Sequence, residues 1–196
     1  MRVPVNSKVE SGALIRLPGR RVTLVPFGPD RVTDRYLAWL NDPEVNAYSR
    51  RKGTHISPED ADRYLSSLRA DEHVLAILMG DEHVGNVKFG PIDWQNACAD
   101  ISILLGERKI WGQGIGAEAI YLVSRYLLKT LGLNRVHADS FNPAFLKLVV
   151  RLGWRIEGVL RERVRLDGRF FDDTVVSLLA REFQVIDAFE PTSDIS

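Results

Sequence analysis

The chain has a single cysteine among its 196 residues, Cys98, which excludes an intrachain disulfide framework and a multi-cysteine zinc site. It also lacks a surplus of either charge. Lys and Arg number 26 and Asp and Glu number 26, so the formal net charge is zero. A dedicated nucleic-acid binder would carry a basic excess, and that class is set aside. No apolar run approaches the roughly 18 residues that a membrane helix needs. The opening MRVPVNSKVESGALIRL has no apolar stretch of the kind a secretory signal requires. The histidines His55, His73, His83 and His137 form no H-E-x-x-H pattern and no Cys/His cluster, so no metal is expected. Repeats and low-complexity tracts are missing too. The expected setting is the reducing cytoplasm, with neither nucleic acid nor membrane as partner.

What is present suffices for one core: 45% of the residues are hydrophobic, and the length fits a single domain. Residues 1–18 read as a flexible leader, 19–182 as the domain and 183–196 as a polar tail. Gly19–Phe27 alternates like a strand. Asp30 is expected to cap a helix carrying Val32, Tyr36, Leu37, Trp39 and Leu40. A basic loop, 46–56, holds Arg50, Arg51 and Lys52. Ser57-Pro58-Glu59-Asp60 is a helix start, with a side-chain cap, a proline at the first helical position and acids at the positive end. That helix is predicted to reach about Ala70. His73–Met79 and Glu82–Phe89 are strands joined by Gly80-Asp81, and Ala99–Leu105 is a third. A helix over Ile115–Leu131, a strand over Arg135–Ser140 and a helix opened by Asn142 and closed by Gly153 follow. Trp154–Leu166 and Arg169–Ala180 form a final hairpin around Asp167-Gly168. This order predicts an α+β domain, with a mixed, mostly antiparallel sheet and a central parallel βαβ step flanked by helices.

The densest chemical signal is Trp111-Gly112-Gln113-Gly114-Ile115-Gly116-Ala117-Glu118-Ala119. Glycine lacks a Cβ, so its N–H approaches a bulky anion closely. The first turn of a helix adds unpaired N–H groups and a positive partial charge, which together suit phosphate. Gly80 and Gly85 have Walker A spacing, but Asn86 stands where lysine is required. Gly112, Gly114 and Ala117 match a dinucleotide fingerprint, with Asp139 downstream. Three antiparallel strands before the loop and a hairpin at the end are the wrong context for that fold.

The loop resembles the pyrophosphate loop of the GNAT superfamily of acyl-CoA N-acyltransferases, with Gly114 and Gly116 in the glycine positions and Trp111 where that motif has Gln or Arg. The set Asn142, Leu152-Gly153-Trp154, Glu157-Gly158, Arg161, Asp167-Gly168 and Asp173 is similar to the branch of ribosomal-protein N-terminal and polyamine acetyltransferases. This resemblance covers roughly residues 20–182. It implies acetyl transfer from acetyl-CoA, as cosubstrate, to a primary amine: a protein N-terminus, a nucleotide amino sugar, a polyamine or an antibiotic. It implies that Ile103 and Leu105 pair with the pantetheine arm beside a splayed neighbouring strand. The N–H groups of Gln113, Gly114, Ile115, Gly116 and Ala117 would meet the pyrophosphate. Asn142 would bond the cofactor arm, Lys147 would reach the adenosine phosphate, and Asp100 would stand where relatives place a catalytic acid residue.

Each assignment has a plainer alternative. Asp100 can be a solvated carboxylate, Asn142 a helix N-cap, and Lys147 with Arg151 a solvated helix face. Phe145 and Val149 replace the serine and tyrosine of many relatives, so the usual thiolate acid is missing, and Tyr121 or Tyr126 are offered in its place. That loss also supports a non-catalytic acyl-CoA sensor or assembly subunit as the alternative. Arg151, Arg155, Arg161, Arg163, Arg165 and Arg169 suit an anionic acceptor or simply protect a sheet edge. Trp94, in a polar turn, is a candidate for the acceptor cleft. His73 and His83, in adjacent strands, are candidates to approach each other. A homodimer is left open.

Overall fold

The computed structural model describes residues 15–50 and 52–192. The first fourteen residues of the expected leader, Arg51 of the basic loop and residues 193–196 of the tail lie outside them. One eight-stranded sheet organises the chain, in the order β1-β2-β3-β4-β5-β6-β8-β7. The strands are β1 (Leu17–Pro18), β2 (Thr23–Pro26), β3 (His73–Met79), β4 (Glu82–Asp93), β5 (Cys98–Leu105), β6 (Arg135–Ser140), β7 (Arg155–Leu166) and β8 (Arg169–Leu179). Among the described residues only β5 and β6 run parallel, the crossover expected from the helical stretch between them.

Strand alternation sends side chains to two cores. Leu75 and Ile77 of β3, Val87 and Phe89 of β4, Ala99 and Ile101 of β5 and Val136 and Ala138 of β6 face α3 (Ile115–Arg125) and α4 (Pro143–Arg151). Val74, Ala76 and Leu78 of β3 and Leu104 of β5 face α1 (Asp34–Asn41) and α2 (Pro58–Ser66). The result is helices on both faces of a mixed sheet, as the sequence order predicts.

Several expectations shift. Thr33, not Asp30, caps α1 by accepting from the Tyr36 amide; Asp30 lies in a short 3-10 turn, Pro29–Arg31. Ser57 and Asp60 complete a reciprocal capping box on α2, which ends at Ser66 rather than near Ala70. The helix after the glycine loop changes to π geometry over Tyr126–Thr130 before Gly132 ends it with φ +75°. Leu17 and Pro18 pair with β2, so this end of the leader belongs to the sheet. Phe183, Ile186 and Phe189 of the polar tail pack on the α3 core, because its few apolar side chains are spaced to reach one face. Among the described residues, no helix is long and apolar enough to cross a membrane.

Candidate active site

The sheet opens at one place. Pairing between β5 and β6 covers only Cys98–Arg135, Ala99–Val136 and Asp100–His137. Beyond that register β6 stays bonded to β8 and β5 stays bonded to β4. Ile101–Leu105 therefore has an edge that β6 does not cover, the splay implied by the resemblance. Ile103 and Leu105 lie on it with side chains toward α3 and partly buried. The Leu105 carbonyl, however, already accepts from the Trp111 indole N–H at 3.0 Å. Trp111 thus pins the glycine loop to the strand end, a role the sequence did not disclose.

The glycine loop sits at the α3 side of this opening. Gly114 is the N-cap of α3 with φ +82°, and Gly112 has φ +76°. A Cβ at Gly116 would lie 3.0 Å from Leu105 Cδ1 and 3.3 Å from Leu148 Cδ1, so glycine lets α3 settle onto β5 and α4. The Gln113 amide is already bonded to the Ile110 carbonyl at 3.3 Å. Among the described residues, the amides of Gly114, Ile115, Gly116 and Ala117 find no backbone acceptor. Four aligned donors at a helix start, beside a glycine with open space around its Cα, fit a pyrophosphate. Arg21 braces them. Its backbone N–H and Nε donate to the buried Glu118 at 2.7 and 2.9 Å, and its Nη1 donates to the Gln113 carbonyl at 2.7 Å.

On the opposite face a cavity of about 840 Å³ reaches the opening. α1, α2 and the connection between them wall it with Tyr36, Tyr48, Ile56 and Tyr64. Ser102 and Leu104 of β5, Asp139 and Ser140 of β6, and Asn142 and Phe145 close its far side. Asp100 shares the face of Ser102 and lies one alternation further along β5. Burial, then the charge of Asp139, push its carboxyl up to about 6, against the opposing pull of Lys88 and Arg50. Arg50 reaches from the α1–α2 connection to Asp139, and to Asp173 at 2.6 Å. Asp173 is fully buried; burial and the neighbouring Asp139 raise its carboxyl above the usual range. Asp139 is held down by Asp173 and Arg50 against the burial that would raise it.

Other candidates fall elsewhere. Asn142 both lines the cavity and caps α4, its Oδ1 accepting from the Ala144 amide at 2.9 Å. Lys147 is exposed on α4, with Arg151 one turn on. Val149 is fully buried in the core and Phe145 is apolar lining. Tyr121 is committed to the tail: its hydroxyl donates to Glu190, accepts from the Ile186 amide and is raised by burial. Tyr126 packs edge-on against Phe89. Neither tyrosine lines the cavity, so neither is placed to return a proton there. Trp94 borders a separate depression with Arg69 and Asp71. Arg155, Arg161, Arg163 and Arg165 are exposed on β7, the sheet's terminal strand, and none lines the cavity, which favours edge protection. His73 stacks on Phe89, whereas His83 sits among Phe27, Tyr36 and Trp39, because the hairpin register holds them at opposite ends.

Residues 21–155 match the family described as an acetyltransferase (GNAT) domain. The chain is 32% identical over 153 residues to the uncharacterized N-acetyltransferase p20 of Bacillus licheniformis, covering 74% of this chain and 85% of that protein. It is 24% identical over 135 residues to alpha/beta-tubulin-N-acetyltransferase 9 of Homo sapiens, covering 62% and 65%. A solved acetyltransferase from T. thermophilus superposes with a TM-score of 0.73 at 30% identity, covering 87% of this chain and 92% of that one. The fold is also that of spermidine N-acetyltransferase from Vibrio cholerae, solved with CoA and spermine, at a TM-score of 0.74, 18% identity and coverage of 83% and 97%. The chain belongs to the GNAT acetyltransferase family and is an acetyl-CoA-dependent N-acyltransferase.

Proposed function

We propose that the chain acetylates a primary amine that enters the cavity beneath α1 and α2 and reacts at the opening between β5 and β6. The observation that carries this reading is the end of the β5–β6 ladder at Asp100–His137, with four unpaired loop amides on one side and the cavity on the other. Bound acetyl-CoA supplies the activated acetyl group. The chain's own residues do the rest. The amides of Gly114, Ile115, Gly116 and Ala117 hold the pyrophosphate, the free edge of β5 at Ile103 aligns the arm, and Asn142 borders it. Lys147 is assigned to the adenosine phosphate.

An amine is protonated at neutral pH and cannot attack until it loses that proton. Asp100, with its carboxyl at about 6, is ionised at pH 7 yet more basic than an ordinary aspartate, which suits proton removal through a water. Acceptors considered are a protein N-terminus, an amino sugar on a nucleotide and a polyamine. The carboxylates near the opening support a cationic amine over an anionic sugar nucleotide. Residues 19–182 are taken as the catalytic domain, with both flanks packed on it, in the cytoplasm; a homodimer is compatible with this reading. DTNB detection of released CoA, with acetyl-CoA and representative amines, tests the proposal. Amine-dependent release is expected. Acetyl-CoA binding without release for any amine would favour the sensor alternative.

A further inference from the structure

The charged side chains that line the cavity are mostly balanced locally. Asp60 pairs with Arg63 at 2.7 Å and Lys88 pairs with Glu72 at 2.5 Å. Asp139 is different. It shares the Arg50 guanidinium with Asp173, so two carboxylates face one cation. The contact is long-range: Arg50 belongs to the α1–α2 connection, Asp139 to β6 and Asp173 to β8. Tyr48, two residues earlier, lines the cavity and packs edge-on against Phe141 at 5.7 Å. Lys52, two residues later, bonds Asp167 at 2.7 Å. The connection is thus tethered across the sheet with Arg50 at its centre.

We infer that Arg50 sets acceptor selectivity, by occupying with its own guanidinium the place where a second positive charge of the acceptor would bind. This rests on the acceptor reading above. With Arg50 present, the Asp139–Asp173 group keeps one net negative charge, which matches an acceptor whose only cation is the reacting ammonium. A polyamine brings two or three charges and meets Arg50 as a like charge. Without Arg50, two bare carboxylates stand beside the opening, and the site becomes one for polycations.

The test compares kcat/KM for spermidine with kcat/KM for a short peptide that has a free N-terminus, an amidated C-terminus and no other charge. Wild type, Arg50→Lys and Arg50→Gln are assayed; Gln keeps hydrogen-bond donors near the carboxylates and removes the charge. The spermidine-to-peptide ratio is expected below one in wild type and in Arg50→Lys, and at least tenfold higher in Arg50→Gln. A ratio that stays within twofold of wild type in Arg50→Gln overturns the proposal. So does a wild type that already prefers spermidine tenfold, a readout that stands even where the variant does not fold. Release with neither acceptor from wild type would overturn the transfer reading as well, whereas release with an unmoved ratio overturns only the role of Arg50.

Discussion

Asp100 is a carboxyl whose ionised form the fold disfavours. Its pKa rises from 3.8 to about 6, so between those values the native state holds a proton that the unfolded chain has released. Stability therefore falls as pH rises through that window, and the penalty is complete above it. Asp100→Asn removes the charge and keeps the shape, so at pH 7 it should stabilise the fold by about 1–3 kcal/mol. Thermal unfolding at pH 4 and at pH 7 checks this, with the gain expected at pH 7 and small at pH 4. Gly114 makes the complementary case. Its φ of +82° suits no β-branched residue, and a Cβ there would meet Arg21 Nη2 at 3.2 Å. Gly114→Val should weaken acetyl-CoA binding by tenfold or more in calorimetry. Equal affinity would remove the phosphate role, and tight NADH binding in its place would revive the dinucleotide reading.

At the scale of elements, the two helical layers meet the sheet through small residues. Gly106 follows β5 directly, and an added Cβ would fall 1.8 Å from Cδ2 of the Trp39 indole. Trp39 in turn donates to Glu107 at 3.1 Å, and Arg35 bonds the same carboxylate at 2.7 Å, which docks α1 on the strand end. Gly106→Ala should destabilise by about 1–3 kcal/mol through overpacking, read as a lower denaturation midpoint with an unchanged urea slope. Elements of this kind are legible in the sequence. Alternation, Gly80-Asp81, Asp167-Gly168 and the Ser57 box are local signals, and β3, β4, β6, β7 and β8 lie close to where they point. The glycine loop is legible for the same reason. Arg21–Glu118, Trp111 with Leu105, and Arg50 with Asp139 and Asp173 are not. They join residues far apart in the chain, and only the sheet order brings them together. The tail that reads as polar follows the same logic, since Phe183 and Phe189 gain meaning only once Tyr121 faces them.

For the whole molecule, the account rests on one break in an otherwise continuous sheet. The α3–α4 layer presents unpaired amides to it from one face, and the α1–α2 layer presents a cavity and carboxyl groups from the other. If the amine is deprotonated there, activity must depend on Asp100 in a way that fades as free amine becomes available. The direct measurement is the pH dependence of kcat for thiol release by wild type and Asp100→Asn at saturating acetyl-CoA. The variant should run at least tenfold slower at pH 7, a modest share of what a positioned base contributes, with acetyl-CoA affinity intact. The gap should close as pH approaches the pKa of the amine. A variant that keeps wild-type kcat at pH 7 would contradict the account, making Asp100 a structural residue and moving proton removal away from the β5–β6 opening.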